Sequence, residues 1–197
     1  MIAAGIALRP ASGPYAILLA VTAVVWLVLE VRQGMTRRPE AIKADEGSLT
    51  ALRAAYVAGF LVAVAIAQSV PAAMIQLHVA AWIGLILMWC GIGLRFWSFR
   101  TLGRYFTFTV QTSGDQPVIT GGPYRLVRHP GYLGLLLTLI GVGFFFGNWL
   151  ALIALTVLVI AGLVYRINVE ERAMMQTLGE RYSPYASTHK RLIPLVW

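Results

Sequence analysis

Long apolar runs broken by short polar stretches dominate the chain. A membrane-spanning helix needs ~20 mostly apolar residues. Five segments meet or approach that length: 13–31 (GPYAILLAVTAVVWLVLEV), about 51–70 ending before Pro71, about 74–99 opening MIQLHVAAWIGLILMWCGIGL, about 131–147, and about 149–167. Little more than Gly147, Asn148 and Trp149 separates the last two, which predicts a tight antiparallel hairpin. The expected fold is therefore an all-α integral membrane protein with five transmembrane helices. Residues 113–123, SGDQPVITGGP, form the clear non-helical block, because Pro123 and Pro130 disfavour helix just before them and GGP supplies turn geometry.

Charge adds a direction to this pattern. Basic residues crowd alternate connections: Arg32, Arg37, Arg38, Lys43 and Arg53 in the first, Arg100, Arg104, Arg125 and Arg128 in the third, and Arg166, Arg172, Arg181, Lys190 and Arg191 in the tail. The second and fourth connections, around Ser69–Gln76 and Gly147–Trp149, carry none. Basic loops stay cytoplasmic, so the N-terminus is expected outside, the C-terminus in the cytoplasm, and both 100–128 and 166–197 on the cytoplasmic side. The net charge of +8 over 197 residues thus reads as membrane topology rather than nucleic-acid binding.

Composition agrees. The chain is 58% hydrophobic and 12% charged, with a mean hydropathy of +0.73, against about 25% charged in soluble domains. The lone Cys90 excludes an intramolecular disulfide and a multi-cysteine metal site. No signal-peptide cleavage pattern opens the chain, so the first apolar segment is expected to be retained, and the C-terminal PLVW is not a prenylation box. There is no Rossmann glycine fingerprint, P-loop lysine, His-x-x-x-His or Cys-x-x-Cys spacing. No metal is expected, and any cofactor is bound by other means. Gly84 and Gly91 are seven apart, as are Gly134 and Gly141, a spacing suited to close helix packing in lipid.

Three polar clusters stand out at the membrane boundary, where polar groups are costly and tend to be functional. In YRLVRHPGYLG, 124–134, a basic flank and a helix-starting proline account for Arg125, Arg128 and Pro130. His129 is left over, since it is mostly neutral at pH 7. A helix start beside two arginines and a histidine also suits a carboxylate or phosphate. In YRINVEERAM, 165–174, Arg166 and Glu170 have the spacing of an ordinary i,i+4 ion pair. Glu170 and Glu171 are nevertheless adjacent acids at an otherwise basic membrane exit, suited to a cationic amino group or ribose hydroxyls. The tail, LGERYSPYASTHKRLIPLVW, carries Tyr182, Tyr185, Lys190, Arg191, Pro194 and Trp197. It reads either as an interfacial anchor or as a cap over something.

GPYRLVRHPGYLG followed, one hairpin later, by EERAMMQTLGERYSPYASTHKRLIP resembles the isoprenylcysteine carboxyl methyltransferase family, and also the related membrane phospholipid N-methyltransferases. The resemblance covers about 100–197, roughly half of the chain; the first three helices match only in being hydrophobic. Leu178 stands where the family pattern has an aromatic residue. The resemblance implies an S-adenosylmethionine-dependent methyltransferase with its cofactor under a cytoplasmic cap, releasing S-adenosylhomocysteine. It divides the chain into a three-helix N-terminal part, 1–100, and a catalytic part, 101–197, made of a cofactor loop, the hairpin 131–167 and the cap. It implies cofactor contacts from Gln111, from the run Gln116, Pro117, Val118 and Ile119, from Tyr124, from His129, Pro130, Gly131 and Tyr132, and from the acids Glu170 and Glu171. Gln116 replaces a residue that is commonly histidine in the family, keeping a hydrogen-bonding side chain but losing a titratable one. Arg166 is implied to hold the substrate carboxylate, so Arg166, Glu170 and His129 form the implied catalytic set.

Methyl transfer from a sulfonium is an in-line displacement in which the protein mainly supplies alignment and excludes water. A carboxylate acceptor needs no general base. A thiol or amine acceptor would need one, with His129 or Glu171 as candidates. Tyr124 or Tyr132 could face the sulfonium through cation–π attraction. The expected partners are the lipid bilayer and a hydrophobic acceptor, most literally a prenylated cysteine, with phospholipid amines and small thiols as rivals. An NADPH-dependent membrane reductase of the sterol-reductase type is a second class, with Arg125 and Arg128 toward a 2′-phosphate. A non-catalytic membrane scaffold is a third, and it leaves the polar clusters unexplained. The sequence does not set the oligomeric state.

Overall fold

A computed structural model describes residues 14–34, 42–43, 47–105, 111–112 and 117–197. Among the described residues six α-helices carry the fold: α1 (Pro14–Gly34), α2 (Ser48–Ser69), α3 (Leu77–Leu102), α4 (Pro130–Phe144), α5 (Trp149–Leu178) and the short α6 (Ser183–Thr188). The extended pairing beside them is slight: a two-residue antiparallel ladder between β1 (Ile42–Lys43) and β2 (Gln111–Thr112), and two isolated bridges. By length and composition, three helical stretches can cross a membrane: Ser48–Ser69, His78–Leu102 and Trp149–Arg181. The apolar α4 is shorter. Large apolar side chains such as Val57, Leu61, Trp82, Ile86, Ile153 and Val157 stand exposed around the bundle. That is the surface a lipid-facing helix presents, because lipid tails exert no pressure to bury them.

Each of the five predicted apolar segments carries a helix, three of which are long and apolar enough to cross a membrane, and the bounds shift at several ends, most of all in the fifth. The fifth continues to Leu178 instead of ending at 167. Hydropathy falls where the membrane ends, but the backbone ladder does not, and Glu, Arg, Ala, Met and Gln from 170 to 176 are all good helix formers. One rigid rod thereby joins the apolar bundle to the polar site.

α3 packs most extensively on α4, and α2 on α5. The seven-residue glycine spacing explains the first pair. A Cβ added at Gly91 would lie 2.5 Å from the Gly134 oxygen, and one at Gly134 would lie 2.6 Å from the Gly91 oxygen. Gly84 and Gly141 repeat the reciprocal contact at 2.7 and 2.6 Å. The two backbones touch, so any side chain would force them apart. On α5, Leu155, Val159, Leu163 and Ile167 form a fully buried stripe at helical spacing, the spine of the core.

The bundle has two differently built ends. At one, Asn148 caps α5 by accepting from the Leu150 and Ala151 amides at 3.0 and 3.1 Å, while its side-chain amide donates to the Val70 carbonyl at 2.8 Å. Gly147, at φ 59, makes the tight turn before it. At the other end lie Glu30, Ser48, Arg95, His129, Arg166 and the whole C-terminal segment. Arg53, Arg128 and Arg191, from three basic stretches of the sequence, lie there too.

Candidate functional site

Pro130 opens α4 and His129 precedes it. The C-terminal segment lies alongside. The Arg128 and His129 amides donate to the Lys190 and Arg191 carbonyls at 2.8 and 2.9 Å, and Val127 forms a parallel bridge with Lys190. Tyr185 donates to the Tyr124 carbonyl at 2.7 Å. These bonds seat the tail on the loop before α4.

Glu171 is the centre of this junction. Only 6% exposed, it accepts from Tyr182 at 2.7 Å, faces His129 Nε2 at 2.7 Å and pairs with Arg128. Arg191 Nε stands 4.0 Å away. Burial, and then the Glu171 charge, push the Tyr182 hydroxyl far above its ordinary range, so it remains a donor. Tyr124 and Tyr185 are raised as well, chiefly by burial.

Glu170, the next residue, points about 100° around the helix and is half-buried. It belongs to a second network. Tyr132 donates to Glu170 Oε2 at 2.7 Å and accepts from Arg166 Nε at 3.0 Å. Arg166 Nη1 donates to Ser48 Oγ at 2.6 Å. At 1% exposure Arg166 is the largest fully buried side chain among the described residues. Where i,i+4 spacing suggests a simple pair, Tyr132 bridges the two residues.

The structure therefore gathers most of the predicted residues. His129, Pro130, Gly131, Tyr132, Arg166, Glu170 and Glu171 meet at one end of the bundle. Pro117 is exposed, while Val118 and Ile119 pack on the cluster that holds Tyr124, Leu178, Tyr182 and Tyr185. Gln116 and the side chain of Gln111 lie outside the described residues. The two adjacent acids differ: Glu171 is enclosed by its partners, whereas Glu170 has only Tyr132 as a hydrogen-bond partner among the described residues. A buried donor, Arg128 Nε, also has no partner there. A carboxylate with spare acceptor capacity and an unused guanidinium donor suit a ligand bearing both amino or hydroxyl groups and a carboxylate.

Beside this network opens a cavity of about 660 Å³ between α1, α2, α3, α4 and α5. Trp26, Leu52 and Leu135 are among its apolar lining; Glu30, Arg53, Arg95, Tyr132 and Arg166 supply its polar groups. The sequence reading did not single out Glu30 or Arg95. Arg95 pairs with Glu30, its Nη2 3.0 Å from Oε2, and donates from Nη1 to the Gly131 carbonyl at 2.8 Å. The available signal was an acid and a base, each within an apolar run, which need partners in a membrane.

An apolar bundle with a cavity among its helices and charged networks at one end is the build of an integral membrane protein. Comparison with known proteins narrows the class. The phospholipid methyltransferase family model matches residues 79–181, and the chain belongs to that family. It is 31% identical over 118 residues to a probable protein-S-isoprenylcysteine O-methyltransferase of Oryza sativa subsp. indica, covering 59% of this chain and 62% of the relative. It is 32% identical over 115 residues to protein-S-isoprenylcysteine O-methyltransferase A of Arabidopsis thaliana, covering 57% and 58%. These matches span about three-fifths of the relatives' length. A solved structure of the eukaryotic intramembrane Ras methyltransferase, isoprenylcysteine carboxyl methyltransferase, matches with a TM-score of 0.65 at 22% identity, over 94% of this chain and 69% of that one. The likeness in fold thus reaches into the N-terminal helices, where the sequence showed nothing beyond hydrophobicity.

Proposed function

We propose that this protein is an S-adenosylmethionine-dependent methyltransferase acting within the membrane on a lipid-like acceptor, most specifically the carboxylate of a prenylated cysteine. The observation that carries the reading is the chain Ser48–Arg166–Tyr132–Glu170. Arg166 and Tyr132 line the cavity, and Tyr132 links Arg166 to a carboxylate with spare acceptor capacity, so acceptor and methyl donor would meet across Tyr132. The names of the relatives agree with this chemistry.

In this scheme the cavity takes the tail of the acceptor, and Arg166, buried at its edge, holds the carboxylate. Glu170 takes the amino or ribose groups of the cofactor, and the Arg128 Nε donor its carboxylate. Tyr124, Val118, Ile119 and the segment from His129 to Tyr132 complete that side. S-adenosylmethionine held there would supply a sulfonium-activated methyl group, with S-adenosylhomocysteine as the product left behind, and Arg166 would orient the acceptor carboxylate oxygen that takes it. No general base is required, in keeping with the engagement of His129 and Glu171 with each other. The protein's contribution is alignment and exclusion of water. Helices α1 to α3 would form most of the acceptor cavity's wall, completed by Tyr132, Leu135 and Arg166, and 101–197 would form the catalytic part. Five membrane helices, an outside N-terminus and a cytoplasmic site under the C-terminal cap fit the placing of Arg53, Arg128 and Arg191 at one end.

The test uses the whole protein in detergent. Titration with S-adenosylmethionine, S-adenosylhomocysteine and NADPH should give saturable binding of the first two. Binding of NADPH alone would overturn the proposal in favour of a reductase. Labelled donor offered with a prenylcysteine, a phospholipid and a small thiol should transfer its methyl group to the prenylcysteine. Arg166→Ala should keep cofactor affinity within roughly threefold and lower prenylcysteine turnover by roughly 100-fold or more; unchanged turnover would refute the carboxylate assignment.

A further inference from the structure

The strongest unassigned feature is the Glu30–Arg95–Gly131 contact. Arg95 sits on α3 and is 6% exposed. Its guanidinium is engaged on two sides. Nε and Nη2 face the Glu30 carboxylate of α1, and Nη1 donates to the Gly131 carbonyl in the first turn of α4. Its guanidinium carbon also lies 4.7 Å from the centre of the Phe99 ring, which fixes its plane. Immediately beside it α3 and α4 are in backbone contact, since a Cβ on Gly134 would lie 2.8 Å from the Arg95 amide nitrogen. Arg95 therefore has little freedom to move independently of α4.

The two partners belong to different functional surfaces. Glu30 is on α1, which also places Ala23, Trp26 and Leu27 in the cavity wall. Gly131 precedes Tyr132, the residue that bridges Arg166 and Glu170. We propose that Arg95 is a positioning residue that couples the α1 wall of the acceptor cavity to the first turn of α4, and so aligns acceptor with methyl donor. This rests on the methyltransferase reading. The planar fork of arginine suits the task, because it satisfies a carboxylate with one edge while another nitrogen reaches a carbonyl. A lysine ammonium lacks that fork. Through Arg95 the position of Glu30 in the cavity wall and that of the Gly131–Tyr132 turn are held in one fixed relation.

Three variants of the full-length protein test this: Arg95→Gln, Glu30→Gln, and the exchange Arg95→Glu with Glu30→Arg. The exchange restores an ion pair, but the carboxylate it places on α3 cannot donate to the Gly131 carbonyl. Arg95→Gln should lower kcat/KM for the prenylcysteine by roughly 10- to 100-fold and speed amide hydrogen exchange in residues 131–135. Glu30→Gln keeps Arg95 beside Gly131; it should raise the acceptor KM while changing kcat less than Arg95→Gln does. The exchange should recover thermal stability but neither turnover nor exchange protection. If it recovers all three, Arg95 is merely half of a structural ion pair and the proposal falls. It falls equally if Arg95→Gln leaves protection of 131–135 unchanged. Should the unmodified protein transfer methyl to no acceptor, the methyltransferase reading fails by itself, and hydrogen exchange still decides whether Arg95 couples α1 to α4.

Discussion

The two sides of Tyr132 are built on different terms. On one side, the loop before α4, the end of α5 and the C-terminal segment lock together around Glu171, with an arginine, a histidine, a tyrosine hydroxyl and paired backbone bonds. On the other, the cavity is walled in part by α1, a largely exposed helix joined to α3 through the Glu30–Arg95 pair. The proposed donor side is thus held by many mutually supporting polar contacts, and the acceptor side by apolar packing and an ion pair. A soluble cofactor of constant shape favours a preorganised wall. A lipid tail that arrives sideways from the bilayer needs a wall that can yield.

The sharpest way to break this contrast is Glu171→Ala. It strips the shared partner from His129, Arg128 and Tyr182 at a buried site, and should cost about 3–5 kcal/mol, seen as a large fall in melting temperature or loss of folded protein. Glu170→Ala, one residue away, should behave differently. Cofactor affinity should drop by roughly 10- to 100-fold, the worth of a charge-assisted hydrogen bond or two, while the melting temperature falls far less. Equal losses of stability in the two variants would erase the distinction between the acids. Trp26→Ala probes the yielding wall. The acceptor KM should rise severalfold while cofactor affinity, read by calorimetry, stays unchanged. The smallest effect is alkaline. Tyr124, Tyr182 and Tyr185 hold their protons above the ordinary tyrosine value of 10.0 in the folded protein. Their contribution is therefore complete below that value and fades as pH rises beyond it, because the unfolded chain releases protons first. Thermal melts from about pH 8 to about pH 11 should decline across the upper part of that range. Replacing Tyr182 with Phe should flatten part of the decline.

Much of the layout is legible in the residues. The apolar runs mark the helices because lipid rewards continuous hydrophobic length. The paired glycines mark the α3–α4 contact because only residues without a Cβ let backbones touch. RHPGY and EER mark the candidate site because His129 and two adjacent acids are left over once a basic flank and a helix-starting proline are accounted for. Other features are not legible. The end of α5 was placed too early because hydropathy reports the membrane edge and not the helix edge. Asn148 passed as a turn residue, although it ties both hairpin ends together. Glu30 and Arg95 disappeared into apolar segments, since a pair 65 positions apart leaves no local pattern.

The chain alone thus marked the apolar helical runs, the helices that can approach closely and the polar side chains gathered where those runs end, because hydrophobic length, side-chain size and charge belong to each residue wherever it folds. Only the tertiary structure decided what each polar group faces. A turn of about 100° along α5 sends Glu171 into a closed cluster with His129, Arg128 and Tyr182, and leaves Glu170 beside Tyr132 with acceptor capacity to spare. Two identical neighbours in sequence acquire different work because electrostatic environment is set by packing, and packing is a property of the whole bundle.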